Sequence, residues 1–340
     1  MFLNKLFQHS SSPTHRLYAV GDIHGCLKTL ENLLSDIAKD IERHKKSGGI
    51  STIVFMGNYV DCGPDSKGVI DYLINEKLKS DGVERVFLRG NHDIAFQLFM
   101  ETYSHRMLPR HFINMADNGG LKTFASYGAF IDPEKIIIKD EMDTLHAANI
   151  RWMSNMAGDM RRQMSGVVPK EHLNFLRELQ TSYQSDNLFF CHAGVDPLKS
   201  LAGQDVRVLM GADDDLAQEI DGEWQSSPSR KFATYDGGPI EGKIIVHGHS
   251  VVSLNAIERS YNAQGRIPTN SGVFLGGSLS AVVFENSKKI DVFSITSIEP
   301  AFDRYHIPVG SLVEENDAAL WQTMAEQDLI HDIRFISLKF

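Results

Sequence analysis

The sequence has few cysteines and no long apolar run. Its 340 residues contain three cysteines, Cys26, Cys62 and Cys191, which are too few and too scattered for a disulfide framework. An apolar patch at residues 2–7 is too short for the core of a signal peptide or for a membrane span. These absences predict a soluble protein without a membrane span, in the reducing environment of the cytoplasm.

Basic residues are in the minority. The chain has 34 Lys and Arg residues against 44 Asp and Glu residues, and its formal net charge is −10. This balance disfavours nucleic acid and anionic lipid as partners, because both are themselves negative. An anionic small substrate is still compatible with it, since bound metal ions dominate the electric field inside a cleft.

Short apolar runs that end at small or polar residues alternate with helical patterns at the start of the chain. Leucines and isoleucines recur at helical spacing over residues 27–41 and 69–74, between three predicted strands. This rhythm predicts parallel βαβ units, whose loops gather at the carboxyl ends of the strands. The predicted strands are 17–20, 52–56, 83–88, 187–190 and 243–246, with antiparallel strands within 272–293.

The pattern changes in the middle of the chain. Residues 94–182 are rich in methionine and mostly helical, with one candidate strand at 135–139, and they predict a helical insertion. We interpret 17–300 as one catalytic domain that contains this insertion. Residues 1–16 are predicted to form a flexible N-terminal segment, and 301–340 an extension with a closing helix, packed on the domain.

Five loops carry side chains that bind metals, and four of them share one construction: an apolar strand, a small residue, then the ligands. Asp, His and Asn supply oxygen and imidazole donors that suit Mn, Fe or Zn. Because parallel strands bring such loops to one crevice, the ligands are expected to meet there. The loops are Gly21–Gly25 (GDIHG), Gly57–Asp61 (GNYVD), Gly90–Asp93 (GNHD), Cys191–Gly194 (CHAG) and the pair Gly248-His249.

The order of these motifs resembles that of the calcineurin-like metallophosphoesterases, in particular the bacterial branch of the phosphoprotein phosphatase family. That family has GDxHG, GDxVDRG, GNHE or GNHD, HAG and GH motifs in this order. The likeness runs from about Tyr18 to Ala281 and includes Asn118–Gly120 and Gly63–Ser66. It implies an α/β fold, a β-sandwich flanked by helices with a helical insertion.

The resemblance implies a site for two divalent ions, Mn, Fe or Zn, and binding of only one ion is the alternative for this chain. Asp22 and His24 would bind the first ion, and position 58 would bridge both. The ligand of the Gly-His pair would be His249 and not His247. The implied metal-binding positions are Asp22, His24, Asn58, Asn91, His192 and His249.

The resemblance also implies a reaction, in-line attack of a metal-activated hydroxide on phosphorus. His92 would protonate the leaving oxygen, and Asp61 would orient His92 through a hydrogen bond. Cys62 and Asn91 stand at positions that bind the substrate phosphate. The implied substrate, and the expected partner, is a phosphorylated protein or a small phosphate ester.

Several positions depart from the family pattern. Asn58 replaces a bridging Asp, and an amide offers one neutral oxygen while its NH2 group repels a cation. We therefore expect weaker binding of at least one ion. Cys62 replaces an Arg that clamps the phosphate, Asp213 lies near the place of a second Arg, and the family's Asp-Thr-Gly reads Asn270–Gly272.

The departures leave alternatives open. The chain is a phosphomonoester hydrolase weakened by Asn58 and Cys62, a catalytically impaired pseudophosphatase that binds a phosphorylated partner, or a dinucleoside polyphosphate hydrolase. Asn58 itself is compatible with natural loss of activity, with altered metal use, or with an engineered substrate trap. Cys62 as a thiolate nucleophile is disfavoured, because no phosphate cradle surrounds it in the sequence.

Overall fold

A computed structural model describes residues 13–130, 142–212, 219–220, 223–224, 238–260 and 265–300. Strands and helices are numbered below in chain order. The candidate strand at 135–139, most of the N-terminal segment, the C-terminal extension and Asp213 lie outside the described residues.

The larger sheet of the described chain has five strands. Its parallel part is β1 (His15–Val20), β2 (Ile50–Phe55) and β3 (Glu84–Phe87). β10 (Ser278–Glu285) pairs antiparallel with β1, and β11 (Lys288–Thr296) pairs antiparallel with β10. The order across the sheet is β11-β10-β1-β2-β3, so the predicted parallel units and the late antiparallel strands are confirmed.

The smaller sheet has four strands in the order β4-β5-β8-β9, named in chain order below. Its last three strands are parallel, and the first pairs antiparallel with the second. A short two-stranded ribbon, β6 and β7, stands apart from both sheets. The ranges are β4 (Ser182–Ser185), β5 (Leu188–Cys191), β6 (Glu219–Ile220), β7 (Glu223–Trp224), β8 (Ile244–His247) and β9 (Arg266–Pro268).

Helices connect the parallel strands and fill the long segment between β3 and β4. α1 (Leu27–Lys46) follows β1, and its apolar residues at helical spacing, among them Leu30, Leu33 and Ile37, are buried. α2 (Ser66–Lys77) begins where the Asp65 side chain accepts the Gly68 N–H. The other helices are α3 (Asn91–Glu101), α4 (Leu108–Asp117), α5 (Gly120–Ser126), α6 (Met142–Val167), α7 (Lys170–Arg177), α8 (Val206–Met210) and α9 (Leu254–Arg259).

The two sheets pack face to face through an apolar layer. β1 is buried on both faces, as its unbroken apolar run predicts. Leu17 and Ala19 contribute to the layer between the sheets, whereas Tyr18 and Val20 belong to the core under the helices. Other members of the inter-sheet layer are Val54, Met56, Val86, Leu188, Phe190, Ile244, Val246, Ile267 and Phe284.

The fold is therefore the predicted α/β class, two sheets flanked by helices. All three cysteines are buried, and none of them is in a disulfide. Within the described ranges, no helix has the length and apolar character needed to cross a bilayer.

Candidate metal centre

The predicted ligands come together where the two sheets meet. β1, β2 and β3 of the larger sheet and β5 and β8 of the smaller sheet each lead into one of the five motif loops. A direct contact joins the sheets at this place, since the His249 backbone N–H donates to the Asp22 carboxylate at 3.1 and 3.2 Å. His249 is partly buried, and the buried members are Asp22, His24, Asn58, Asn91 and His192.

Many residues of these loops have left-handed backbone conformations. The φ angles are 46° at His24, 55° at Asn58, 71° at Asp61, 66° at Cys62 and 60° at His249. Asn, Asp and His tolerate this region better than most residues other than glycine. Such strain concentrates at functional sites, where the surrounding structure holds it in place, and the sharp turns direct these side chains into one crevice.

Asp22 is the only carboxylate among the six predicted ligands. Burial raises the pKa of Asp22 to about 7, and the neighbouring His249 opposes that rise. A cation bound nearby would favour the ionised form. Gly248 allows the loop of His249 to approach, because a Cβ at this position would overlap the Asp22 Oδ1 atom.

Two contacts fix which way the Asn58 amide points. Its Oδ1 atom accepts the His92 backbone N–H at 3.2 Å, and its Nδ2 atom donates to Asp22 Oδ2 at 3.1 Å. A backbone N–H requires an oxygen acceptor and a carboxylate requires a donor, so both partners select the same orientation. The NH2 group of Asn58 therefore lies against Asp22.

The buried histidines present one ring nitrogen to the site. His24 Nδ1 lies 3.0 Å from the Val60 carbonyl oxygen, and His192 Nδ1 lies 2.8 Å from the Met56 carbonyl oxygen. A carbonyl accepts the proton from Nδ1, which leaves Nε2 as the lone-pair donor for a metal. Burial lowers the pKa of both histidines well below the usual value, so both are neutral.

Among the six predicted ligands, Asn91 Oδ1 and His192 Nε2 are buried acceptors that have no hydrogen-bond partner in the described part of the chain. Buried polar atoms are otherwise nearly always hydrogen-bonded, and a divalent ion satisfies an amide oxygen and an imidazole nitrogen together. These residues thus fit a metal. Over the same described residues, no group of three His, Cys, Asp or Glu side chains is arranged to hold one, which is consistent with amides at two of the six positions.

His92 and Asp61 form the pair that the motifs predict. His92 Nδ1 lies 2.8 Å from Asp61 Oδ2, and the Thr123 hydroxyl donates to Asp61 Oδ1 at 2.6 Å. The His92 ring also meets the His24 ring edge to face, with centroids 4.7 Å apart. The pair is therefore held at the margin of the ligand set by a residue of the helical insertion.

Cys62 lies where the second motif loop meets the insertion. Its backbone N–H donates to the Gly119 carbonyl at 3.2 Å, and its Sγ lies 3.5 Å from the Asn118 carbonyl oxygen. A Cβ on Gly119 would come within 2.8 Å of this sulfur. Cys62 is buried, with 5% of the residue exposed, so its assignment to substrate binding remains a prediction.

Asn270 supports the loop that carries His249. Its Nδ2 donates to the His249 carbonyl at 2.9 Å, and its Oδ1 accepts the Gly272 N–H at 2.9 Å. A neutral amide makes both contacts, donor and acceptor, which a carboxylate cannot.

Two further residues organise the site, although the motifs did not assign them a role. Asp93 accepts the backbone N–H groups of Asn58 at 2.8 Å, Tyr59 at 2.9 Å and Gly90 at 2.9 Å. Thr123 fixes Asp61. Both residues stand beside recognisable motifs, since Asp93 ends the third motif and Thr123 follows the glycines of the insertion. Their roles were not predicted because their hydrogen-bond partners are distant in sequence.

The chain belongs to the calcineurin-like phosphoesterases, because the sequence profile of that family matches residues 15–253. The family prediction from the five motifs is thereby confirmed. It is a family of phosphoesterases that use divalent metal ions; the assignment to its bacterial phosphoprotein phosphatase branch remains a prediction.

Two curated relatives are similar over part of the chain. The zinc-dependent endopolyphosphatase of Saccharomyces cerevisiae is 26% identical over 196 residues, 57% of this chain and 51% of that protein. The asymmetrical bis(5'-nucleosyl)-tetraphosphatase PrpE of Oceanobacillus iheyensis is 38% identical over 96 residues, 27% of this chain and 35% of that protein. The chain thus matches about half and about a third of their lengths.

Two solved structures illustrate what the chain is similar to in structure. A metallophosphoesterase from Sphaerobacter thermophilus has a TM-score of 0.37 and 13% identity, covering 84% of this chain and 89% of that one. A cold-active protein-tyrosine phosphatase of a psychrophilic Shewanella species has a TM-score of 0.44 and 13% identity, covering 83% of this chain and 80% of that one.

Proposed function

We propose that the chain is a metal-dependent hydrolase of phosphate esters, with His92 as the proton donor. The observation that carries this proposal is the His92–Asp61 pair, which stands beside a buried set of metal ligands. A histidine 2.8 Å from a carboxylate that is itself held by Thr123 has the geometry of an oriented general acid. A histidine without a catalytic role does not require a carboxylate that is itself held in place.

The residues of the chain would divide the work as follows. Asp61 accepts the Nδ1 proton of His92, so that Nε2 carries the proton delivered to the leaving oxygen when the P–O bond breaks. Divalent metal would bind at the set formed by Asn91, His192 and His249, next to Asp22 and His24. The chemistry that such ions supply when bound is activation of water and neutralisation of the phosphoryl charge.

Small phosphate compounds are the favoured substrate class. Cys62 offers no cation for a substrate phosphate, and Zn or Mn would have to supply that charge. The names of the two curated relatives, an endopolyphosphatase and a nucleosyl tetraphosphatase, both denote chains of linked phosphates. Cleavage of a dinucleoside polyphosphate or of polyphosphate is thus the second candidate beside phosphomonoester hydrolysis.

A substrate panel tests this proposal. The purified chain is given Mn2+ or Zn2+ and incubated with an aryl phosphate, a phosphopeptide, diadenosine tetraphosphate and polyphosphate. We expect turnover of at least one small phosphate compound, and a loss of about 10²–10⁴-fold in His92→Ala. His105→Ala, a change at an exposed histidine, is the matched control and should keep full activity.

Two outcomes would count against the proposal. If His92→Ala is as active as the unchanged chain, the activity does not come from this site. If no compound is turned over although the phosphopeptide binds, the chain is a pseudophosphatase that captures a phosphorylated partner.

A further inference from the structure

The two halves of the ligand set are not equivalent. On one side, Asn91 Oδ1 and His192 Nε2 are buried acceptors that receive no hydrogen bond from the described residues. Asn91 is 7% exposed and His192 is 0% exposed. The ring of His249 lies next to that of His192, with centroids 5.3 Å apart. This side has the unsatisfied acceptors that a cation requires.

On the other side, the carboxylate already accepts hydrogen bonds from the protein. Both oxygens of Asp22 accept the His249 N–H, and Oδ2 also accepts the NH2 group of Asn58. His24 Nε2 lies 3.9 Å from the same Oδ2 atom. The Asn58 amide cannot be turned to present its oxygen without breaking the bond from the His92 N–H. Its partly positive hydrogens therefore occupy the neighbourhood where an ion beside Asp22 would lie.

The net charge of the ligand side chains also favours a single ion. Two divalent ions bring four positive charges, and Asp22 is the only anionic side chain among the six ligand positions. Opposite charges in a buried site interact far more strongly than in water. An Asp at position 58 would add a second carboxylate to this site, whereas the amide adds none.

We propose that the chain binds one divalent ion, through Asn91, His192 and His249, and that the Asn58 amide replaces the second ion as the partner of Asp22. Imidazole with an amide oxygen suits Zn or Mn. This inference rests on the proposed function, because it concerns the metal content of the same site. It adds that the site is mononuclear and names the residue that makes it so.

Metal stoichiometry is the direct test. The full chain is dialysed to equilibrium against graded Mn2+, and bound metal is measured by atomic emission. We expect one ion per chain, two ions in Asn58→Asp, and affinity reduced at least about 10-fold in His192→Ala. Asn75→Asp, which adds the same charge at an exposed position of α2, should bind one ion like the unchanged chain.

Electron paramagnetic resonance of the Mn2+ complex gives an independent readout. An isolated ion gives a six-line spectrum, and a close pair gives a broadened, exchange-coupled one. The unchanged chain should give the first and Asn58→Asp the second. Two ions or a coupled spectrum in the unchanged chain would overturn the proposal, and so would a single ion that His192→Ala does not affect. These results stand even if Asn58→Asp fails to fold.

Turnover measured on the same samples separates this inference from the proposed function. If one ion binds and no phosphate compound is turned over, the proposed function is wrong and the mononuclear site is supported. If two ions bind and a phosphate compound is turned over, the proposed function is supported and the mononuclear site is wrong.

Discussion

Gly90 determines how closely the third motif loop approaches the second. A Cβ at this position would lie 2.7 Å from the Asn58 backbone nitrogen and would overlap the Asn58 side-chain oxygen. Backbone atoms cannot move aside as a flexible side chain can. The glycine is therefore a requirement of the site and not only of the turn before α3.

We expect Gly90→Ala to lower the free energy of unfolding by about 1–3 kcal/mol, the usual cost of overpacking. It should also lower metal affinity, because Asn58 and Asn91 are displaced together. Urea denaturation and metal dialysis measure the two effects. Gly166→Ala is the control, since a Cβ there meets nothing within 4 Å and alanine favours the helix. Equal behaviour of the two variants would refute the close approach.

Thr123 is a positioning residue that acts through Asp61. Besides its bond to the carboxylate, its hydroxyl accepts the Asp61 backbone N–H at 2.9 Å and lies 2.9 Å from the Ser66 hydroxyl. Hydrogen bonds to charged groups contribute about 1.5–3 kcal/mol. Loss of this one should misorient Asp61 and with it His92.

We expect Thr123→Val to lower kcat for an alkyl phosphate by about 10–100-fold, which corresponds to roughly 1.4–2.7 kcal/mol. The effect on an aryl phosphate should be smaller, because a good leaving group needs little protonation. Thr123→Ser keeps the hydroxyl and should recover most of the activity. An equal loss on both substrates would mean that Thr123 is merely structural.

At the scale of helices, a partly buried polar cluster connects the insertion to the helices on the sheet. His172 on α7 lies 2.7 Å from the Tyr127 hydroxyl through Nδ1 and 2.8 Å from Asp71 of α2 through Nε2. Burial lowers the pKa of His172, although its bond to Asp71 opposes the shift. The neutral form is therefore the one that the folded protein prefers.

This preference makes part of the stability depend on pH. An unfolded histidine has a pKa of about 6.5, so below that pH the unfolded chain takes up the proton more readily. The contribution of His172 is complete above about pH 6.5 and is lost as the pH falls towards the lowered folded value, by up to about 1.4 kcal/mol per pH unit. Urea denaturation at pH 7.5 and 5.5 should show a smaller pH effect in His172→Phe than in the unchanged chain.

His105→Ala is the control for this measurement, because His105 is exposed. Its pH effect should equal that of the unchanged chain. A His172→Phe variant that loses stability at the same rate with acidification would show that other groups carry the dependence.

The sequence predicted the elements better than their mutual contacts. The metal-type residues were found because each follows a strand whose apolar run is visible locally. β1, β2, β3, β5 and β8 all end within one residue of the predicted position. The orientation of Asn58 was not predictable, because it depends on a backbone N–H of another loop. The same holds for Thr123 and Asp61, which meet although 62 positions separate them.

At the scale of the whole molecule, the two sheets depend on the apolar layer between them. Phe190 of β5 meets Phe284 of β10 edge to face, with ring centroids 6.2 Å apart. Phe189 points to the other face of β5 and belongs to a separate core cluster. Substitutions at these two neighbouring positions of β5 therefore perturb two different packing layers.

We expect both Phe190→Ala and Phe189→Ala to lower the free energy of unfolding by about 3–5 kcal/mol. Only Phe190→Ala should also weaken metal binding by the molecules that remain folded, since it loosens the layer that aligns the two sets of ligands. Dialysis at low temperature measures this binding. Equal metal affinity in the two variants would show that the inter-sheet layer does not set the geometry of the site.

The position of the site between the two sheets has a consequence for the entropy of the unfolded chain. An ion held by Asn91 from one sheet and His192 from the other ties together segments about a hundred residues apart, as a crosslink of that span would. Binding only to the folded form stabilises it by about 2.7 kcal/mol when the free ion is at 100 times its dissociation constant. The melting temperature should therefore rise with added metal and fall with a chelator, and the lifetime of the folded protein would follow the supply of metal around it.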